Sequence, residues 1–434
     1  MKKVLATLLA TTMALSAIGG LIACGGDDAK AYTLTVWAPE DSHEVYKQIA
    51  DEWKTATGHE GWTVNFEAKA EGEAETDFGA DPAAGADVFF FESGQITTMK
   101  QKLYLQTLDA EMTAKIKARD GDNANGVIGP DGLAWAFPAT ADNGYFMWYD
   151  KTFFGDMDMS TASLDAILAK VSAASTTANP KTFIFKYDDG WYQSSWFFGT
   201  GVEMDWIEGT TNYYTDIQSA KGQTAAKASM KYLANSAITT GDDGVVTEGF
   251  KNGSVVAAVR GTWIKKALVA NCPGNTDEEK EAEFNKKYGA AKLPTFTVDG
   301  DTTTYQMGSF SGGKFCGVNR YKNNVETITA SISLAEYFTR EESQIKRFKS
   351  TGAIPSNVVA AGKPEVKEDM LNKAFSDQMT ANSYVQLSQD GLWDGMAEFG
   401  TACHDGTVTL ANLADKLSAL ATAMAKGGTL VTSK

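Results

Sequence analysis

The chain has 434 residues, 43% of them hydrophobic, with 39 Lys and Arg against 55 Asp and Glu and a formal charge of −16. That length exceeds what one hydrophobic core usually serves, so two lobes are expected, and the apolar content excludes a disordered chain. So acidic a surface repels phosphate backbones and anionic lipid, which excludes nucleic acid as a natural partner and argues against a highly charged anionic ligand.

Lys2 and Lys3 precede an uncharged run from Val4 to Ala23, the pattern of an export signal. Thr, Ser and Gly dilute the run and no positive stop-transfer cluster follows it, so a permanent transmembrane helix fits less well. The run ends Leu21-Ile22-Ala23-Cys24, which resembles the bacterial lipobox. The resemblance implies a signal peptide over 1–23, lipidation of Cys24 and a membrane-surface anchor, with 24–31 as a short flexible tether. Loss of Lys2 and Lys3 takes the charge from −16 to −18.

Beyond the tether, Thr33 to Trp37 alternates like a strand, and Val45, Ile49 and Trp53 recur at helical spacing before Gly58. Ala86 to Phe91 is a continuous apolar run and predicts a strand buried on both faces, as in a parallel sheet. Pro130-Asp131-Gly132 predicts a turn, Ala134 to Pro138 a second strand and Ser254 to Val259 a third. Apolar residues at 325, 328, 332, 335 and 338 mark one helix face, and Leu410, Leu413 and Leu417 another, with Gly427 as its stop. Strands alternating with helices predict an α/β fold with sheets covered on both sides. Cys272, Cys316 and Cys403 are far apart and allow at most one disulfide. The three histidines, His43, His59 and His404, lack metal-binding spacing and read as surface residues, so neither a metal nor a cofactor is expected.

Several segments in order carry a resemblance. These are LTVWA at 34–38, GADPAAGADVFFFES at 79–93, GLAWAFPATADNGYFMWYDKTFF at 132–154, FKNGSVVAAVRGTW at 250–263, AAKLPTF at 290–296 and TGAIPSNV at 351–358. From about Tyr32 onward the chain resembles the extracellular solute-binding proteins of bacterial ABC importers, in the group that includes maltodextrin-binding proteins. The resemblance implies a periplasmic-binding-protein-like fold (type II) whose two lobes are joined by a multi-crossing hinge. Lobe one would span 31–140 plus 294–345, and lobe two 141–293 plus 346–434. It also implies a monomer that clamps a sugar or oligosaccharide in the cleft and then docks on membrane permease subunits. A binding protein serving an importer must stay near it, which gives Cys24 its purpose, either on the outer face of the cytoplasmic membrane or in a periplasm.

The chain contains 10 Trp and 15 Tyr. Aromatic rings match the C–H faces of a sugar, while carboxylates, amides and Arg match its hydroxyl edges. Phe91, Trp263 and Trp393 match ligand-stacking positions of the maltodextrin group. Tyr192 and Trp196 fall where that group places another cleft aromatic, with Trp191 as the rival in register. Trp53, Trp62 and Trp135 read as core. Asp41, beside Glu40, lies where the group has an acidic sugar ligand, and Asp142 where it has a Glu. Gly94-Gln95 replace an Asp-Arg pair, Ser42 a Lys and Ala397 an Arg, so the edge contacts differ from those of the group. Asp87 matches the family in a structural role.

GSFSGGKF at 308–315 has Phe315 where a P-loop needs Ser or Thr, and reads as a loop–strand junction at the hinge. DGDNANG at 120–126 fails the EF-hand register. No G-x-S-x-G occurs. A binding role without catalysis is therefore expected. The alternatives are the same fold with a peptide or polyamine ligand, or a glycoside hydrolase using Asp41 and Asp142.

Overall fold

The computed structural model describes residues 31–207, 210–386, 390–431 and 433, so Cys24 and the export-signal pattern lie outside the described residues. Two five-stranded sheets organise the chain. Their strands are β1 (Thr33–Ala38), β2 (Thr63–Ala68), β3 (Val88–Glu92), β4 (Phe137–Thr140), β5 (Phe146–Asp150), β6 (Thr182–Ile184), β7 (Ile238–Thr239), β8 (Val255–Arg260), β9 (Tyr288–Ala291) and β10 (Lys314–Val318).

The first sheet runs β2-β1-β3-β10-β4, with β1 parallel to β2 and β3 and with β10 antiparallel to β3 and β4. The apolar run of β3 is buried through Phe91, as its lack of alternation predicts. Val45, Ile49 and Trp53 are buried on the helix His43–Thr57, which ends at Gly58 with φ of +75°. Asp87 keeps its structural part by accepting from the Thr35 amide at 2.8 Å. The second sheet runs β9-β5-β8-β6-β7. Met147, Val256 and Val259 enter one core, while Phe146, Trp148 and Val255 enter another on the opposite face. This sheet is therefore covered on both sides.

Division by packing moves two of the expected lobe boundaries. Phe296, Met307 and Phe310 join the large core of the second sheet, so the chain returns to the first at Lys314 rather than at 294. Beyond 345, Arg347 reaches Glu71 and Ser356 reaches Asp120, while Ile354 and then Leu371 enter the second sheet's core, so this stretch packs on both. Backbone bonds tie the crossings together: Asn143 donates to Gly312 at 3.1 Å, Ala141 to Ile354 at 2.9 Å and Gln386 to Ser311 at 3.0 Å. The glycine-rich stretch at 308–315 is thus a junction between lobes, as its failed P-loop pattern predicts.

Smaller differences have local causes. The strand expected over 134–138 forms at Phe137–Thr140, after the turn that Gly132 makes with φ of +77°. The helix Val325–Phe338 buries Ala330, Ser331, Leu334, Ala335 and Phe338 and leaves Val325 75% exposed in its first turn. Leu410 is 71% exposed because the last long helix starts only at Leu413. Cys272, Cys316 and Cys403 are buried and unpaired. Among the described residues no helix is long and apolar enough to cross a membrane.

Candidate functional site

A cavity of about 750 Å³ opens between the two sheets, within the range usual for small-molecule sites. The first sheet supplies the turns after β1 (Glu40, Asp41) and β2 (Glu71, Gly72) and the end of β3 (Glu92). These are carboxyl ends of parallel strands, where open α/β sheets place their ligands. The second half supplies Asp189, Trp191, Tyr192, Trp263 and Trp393, and the crossings supply Asp142, Asn143 and Gln386.

The aromatic side depends on close backbone approach. Asp189 caps the short helix Gly190–Gln193 by accepting from the Trp191 amide at 2.9 Å, and burial pushes its carboxyl above the usual range. A Cβ on Gly190 would meet the Trp393 carbonyl at 2.2 Å, so glycine lets that helix lie against Trp393. A Cβ on Gly261 would stand 1.9 Å from the Trp263 ring, so glycine also seats that indole. The Trp191 and Trp263 rings lie 5.8 Å apart, and Trp191 donates its indole N–H to Gln386 at 2.9 Å. All three tryptophans are partly buried and line the cavity.

The opposite side is charged. Buried Glu71 bridges Lys314 at 2.7 Å and Arg347 at 3.0 Å. Burial works against the charge on both cations, but Tyr46, Glu71, Asp142 and Asp41 hold the Arg347 guanidinium above its ordinary value, and Glu71 and Asp142 do the same for Lys314. Glu92 shifts upward because burial outweighs the opposing pull of Lys314. Asp142 is 2% exposed, and its Oδ2 accepts from the Thr262 hydroxyl at 2.7 Å and the Ile354 amide at 3.0 Å. Asp142 Oδ1 and Arg347 Nε and Nη1 are buried with no hydrogen-bond partner among the described residues. The guanidinium instead lies over the Tyr46 and Phe90 rings at 5.4 and 5.6 Å.

Of the residues expected from the sequence, Glu40, Asp41, Asp142, Tyr192, Trp263 and Trp393 all line the cavity. Glu40 is exposed at the rim, and Asp41 accepts from the Ser42 hydroxyl at 3.0 Å. Two do not. Phe91 is 0% exposed and packs on Phe89 and Phe315 inside the first core, because the cavity begins one residue later at Glu92. Trp196 is also 0% exposed, among Phe185, Tyr232 and Phe296, and the ring at the cavity is its rival Trp191. Ser194 keeps helical dihedrals, so Trp196 lies one turn beyond Tyr192 on the same buried face. Glu71, Glu92, Lys314, Arg347 and Gln386 escaped the sequence reading. For Glu92 alone a signal existed, since the first polar residue ending an apolar strand run faces the loop end of the sheet.

The family profile described as bacterial extracellular solute-binding protein matches residues 48–374. Among solved structures, one determined with acarbose is 25% identical over 91% of this chain and 98% of its own, with a TM-score of 0.75. Maltodextrin-binding protein MalE1 of L. casei is 21% identical over 92% of this chain and 100% of its own, with a TM-score of 0.71. The GacH receptor of Streptomyces glaucescens, solved without ligand and with acarbose, is 17% identical over 91% and 99%, with a TM-score of 0.74. No curated protein matches the chain in sequence.

Proposed function

Because the chain belongs to the bacterial extracellular solute-binding proteins, we propose that it captures a sugar or oligosaccharide of the maltodextrin kind between its two lobes and delivers it to an ABC permease. Members of this family are exported and bind solutes rather than transform them. One observation carries the saccharide reading: Trp191, Trp263 and Trp393 line one side of the cavity, and the charged side chains Glu71, Asp142, Lys314 and Arg347 line the other. Ring faces and hydroxyl edges call for that division. The solved structures with acarbose or maltotriose share the fold and point to the same ligand class. Cys24 anchors the protein at the membrane surface, so Cys24→Ser is expected to move it from the membrane fraction to the soluble one.

Calorimetric titration of the soluble form beginning at Gly25 tests the ligand. The panel holds maltose, maltotriose, a cyclodextrin, a cello- or xylo-oligosaccharide, a peptide and spermidine, with product analysis of each mixture. Micromolar or tighter binding of one saccharide, recovered intact, supports a transport receptor. Cleavage would replace this reading with a hydrolase, and binding of the peptide or spermidine alone would remove the sugar.

A further inference from the structure

One side chain is bonded to both lobes and to the crossings between them. Gln386 follows the strand Ser383–Val385, which pairs in parallel with Ser309–Ser311, and its backbone amide donates to the Ser311 carbonyl at 3.0 Å. Its side-chain Oε1 accepts from Asn143 Nδ2 of another crossing at 3.0 Å and from the Trp191 indole of the second lobe at 2.9 Å. Its Nε2 donates to the Glu92 carboxyl, at the end of β3 in the first lobe, at 3.4 Å.

These partners fix which way the amide faces. Oε1 meets two donors and Nε2 meets an acceptor, and a flipped amide would set donor against donor and oxygen against oxygen. Gln386 lines the cleft and also a second cavity of about 440 Å³, shared with Thr140, Gly312, Phe315 and Phe375. Open space on that side leaves its conformation to hydrogen bonds more than to packing. The consequence falls on Trp191, whose ring neighbours are Tyr145, Trp263 and Phe310. An indole has one polar atom, and here that atom is spent on Gln386. Trp191 can therefore meet a ligand only with its ring, and the bond to Gln386 is the ring's one polar tie. A ring held in place before the ligand arrives costs no ordering on binding. Resting on the saccharide reading, we propose that Gln386 is a positioning residue: through the Trp191 indole N–H it seats that ring for the ligand and ties it to the lobe crossings.

A double-mutant cycle tests this on the soluble form beginning at Gly25. Maltotriose, or the saccharide of the panel that binds most tightly, is titrated calorimetrically into wild type, Gln386→Met, Trp191→Phe and the double variant. Urea denaturation of each is read alongside. Trp191→Phe keeps a ring and removes the N–H. Gln386→Met is expected to weaken binding about tenfold in the wild-type background, the usual cost of having to order one large side chain. In the Trp191→Phe background it is expected to weaken binding about twofold or less, because the bond is already gone. Where Gln386→Met does not fold, Gln386→Asn, whose amide falls one carbon short of the indole, runs the same cycle. Equal losses in both backgrounds overturn the inference, since Gln386 would then act without Trp191. A lowered denaturation midpoint with unchanged affinity also overturns it, leaving Gln386 a structural residue and the saccharide reading intact. If the wild-type protein binds no saccharide of the panel, the saccharide reading fails and this inference with it.

Discussion

The two walls of the cleft are built on opposite principles. The wall from the first sheet is a charge network: Glu71 holds Lys314 and Arg347, and the guanidinium lies over the Tyr46 and Phe90 rings at 5.4 and 5.6 Å. The wall from the second is a set of half-buried rings supported from behind by the large core. A charge network has directional partners, and losing one leaves the others buried and uncompensated. A ring packed on one face loses contact area and little else when it is shortened. The charged wall should therefore couple binding to stability, and the aromatic wall should separate them.

The largest expected effect breaks the network. Glu71→Ala strands two cations in the protein interior, which costs about 3–5 kcal/mol of folding stability, measured by urea denaturation. Glu71→Gln is expected to recover part of that loss by restoring hydrogen-bond acceptance. A loss no larger than that of an ordinary surface change would mean that the two cations find other partners, and the contrast between the walls would weaken.

Next comes the aromatic wall. Trp263→Ala is expected to weaken saccharide binding by about 1–3 kcal/mol, the usual cost of removing a central aromatic contact, with little change in the denaturation midpoint. Phe91→Ala sharpens this by showing the reverse. It should cost about 3–5 kcal/mol of stability, as for other buried rings, while the folded fraction keeps its affinity. Unchanged affinity in Trp263→Ala would reject its stacking role.

Part of the aromatic wall was legible in the sequence: Trp263 stands in the ordered segment 250–263, and Trp393 matches a stacking position outside those segments. The register around 191–196 was not, since five aromatic residues crowd 191–198 and their spacing does not say which one reaches the cavity. Phe91 misled because a strand buried on both faces gives no alternation from which to choose a face. The charged wall was illegible for a different reason. Glu71 and Arg347 meet across 276 residues of chain, and each on its own is one charge among many. The α/β class followed from strand and helix spacing and the two-lobed arrangement from the resemblance, whereas the lobe boundaries near 294 and 346 depended on which core later side chains entered.

A pH series probes the charged wall more gently. Burial raises the Glu92 carboxyl above its ordinary range, with Lys314 opposing. Between the unfolded and folded values the native state then binds more protons than the unfolded state, so this group's contribution to stability falls as pH rises through that window. Below the unfolded carboxylate value of about 4.3 the penalty is absent. Glu92→Gln should therefore raise the melting temperature at neutral pH and leave it unchanged in acid. A melting temperature that is lowered at neutral pH would mean that Glu92 is held by Lys314 more strongly than burial opposes it.

The smallest effect lies where the walls meet. On the helix Lys265–Ala270 of the second lobe, Lys266 donates to the Asp41 carbonyl of the first at 2.7 Å. This contact touches no ring of the cavity, and it exists only while the lobes hold this arrangement. Lys266→Met keeps the apolar stem and removes the bond, so it should weaken saccharide binding by about 1 kcal/mol or less, mainly through faster dissociation. Stopped-flow release of a bound saccharide reads this directly. If the variant instead lost as much affinity as Trp263→Ala, most of the binding energy would reside in holding the lobes together. The rings and carboxylates would then select the ligand without supplying its affinity.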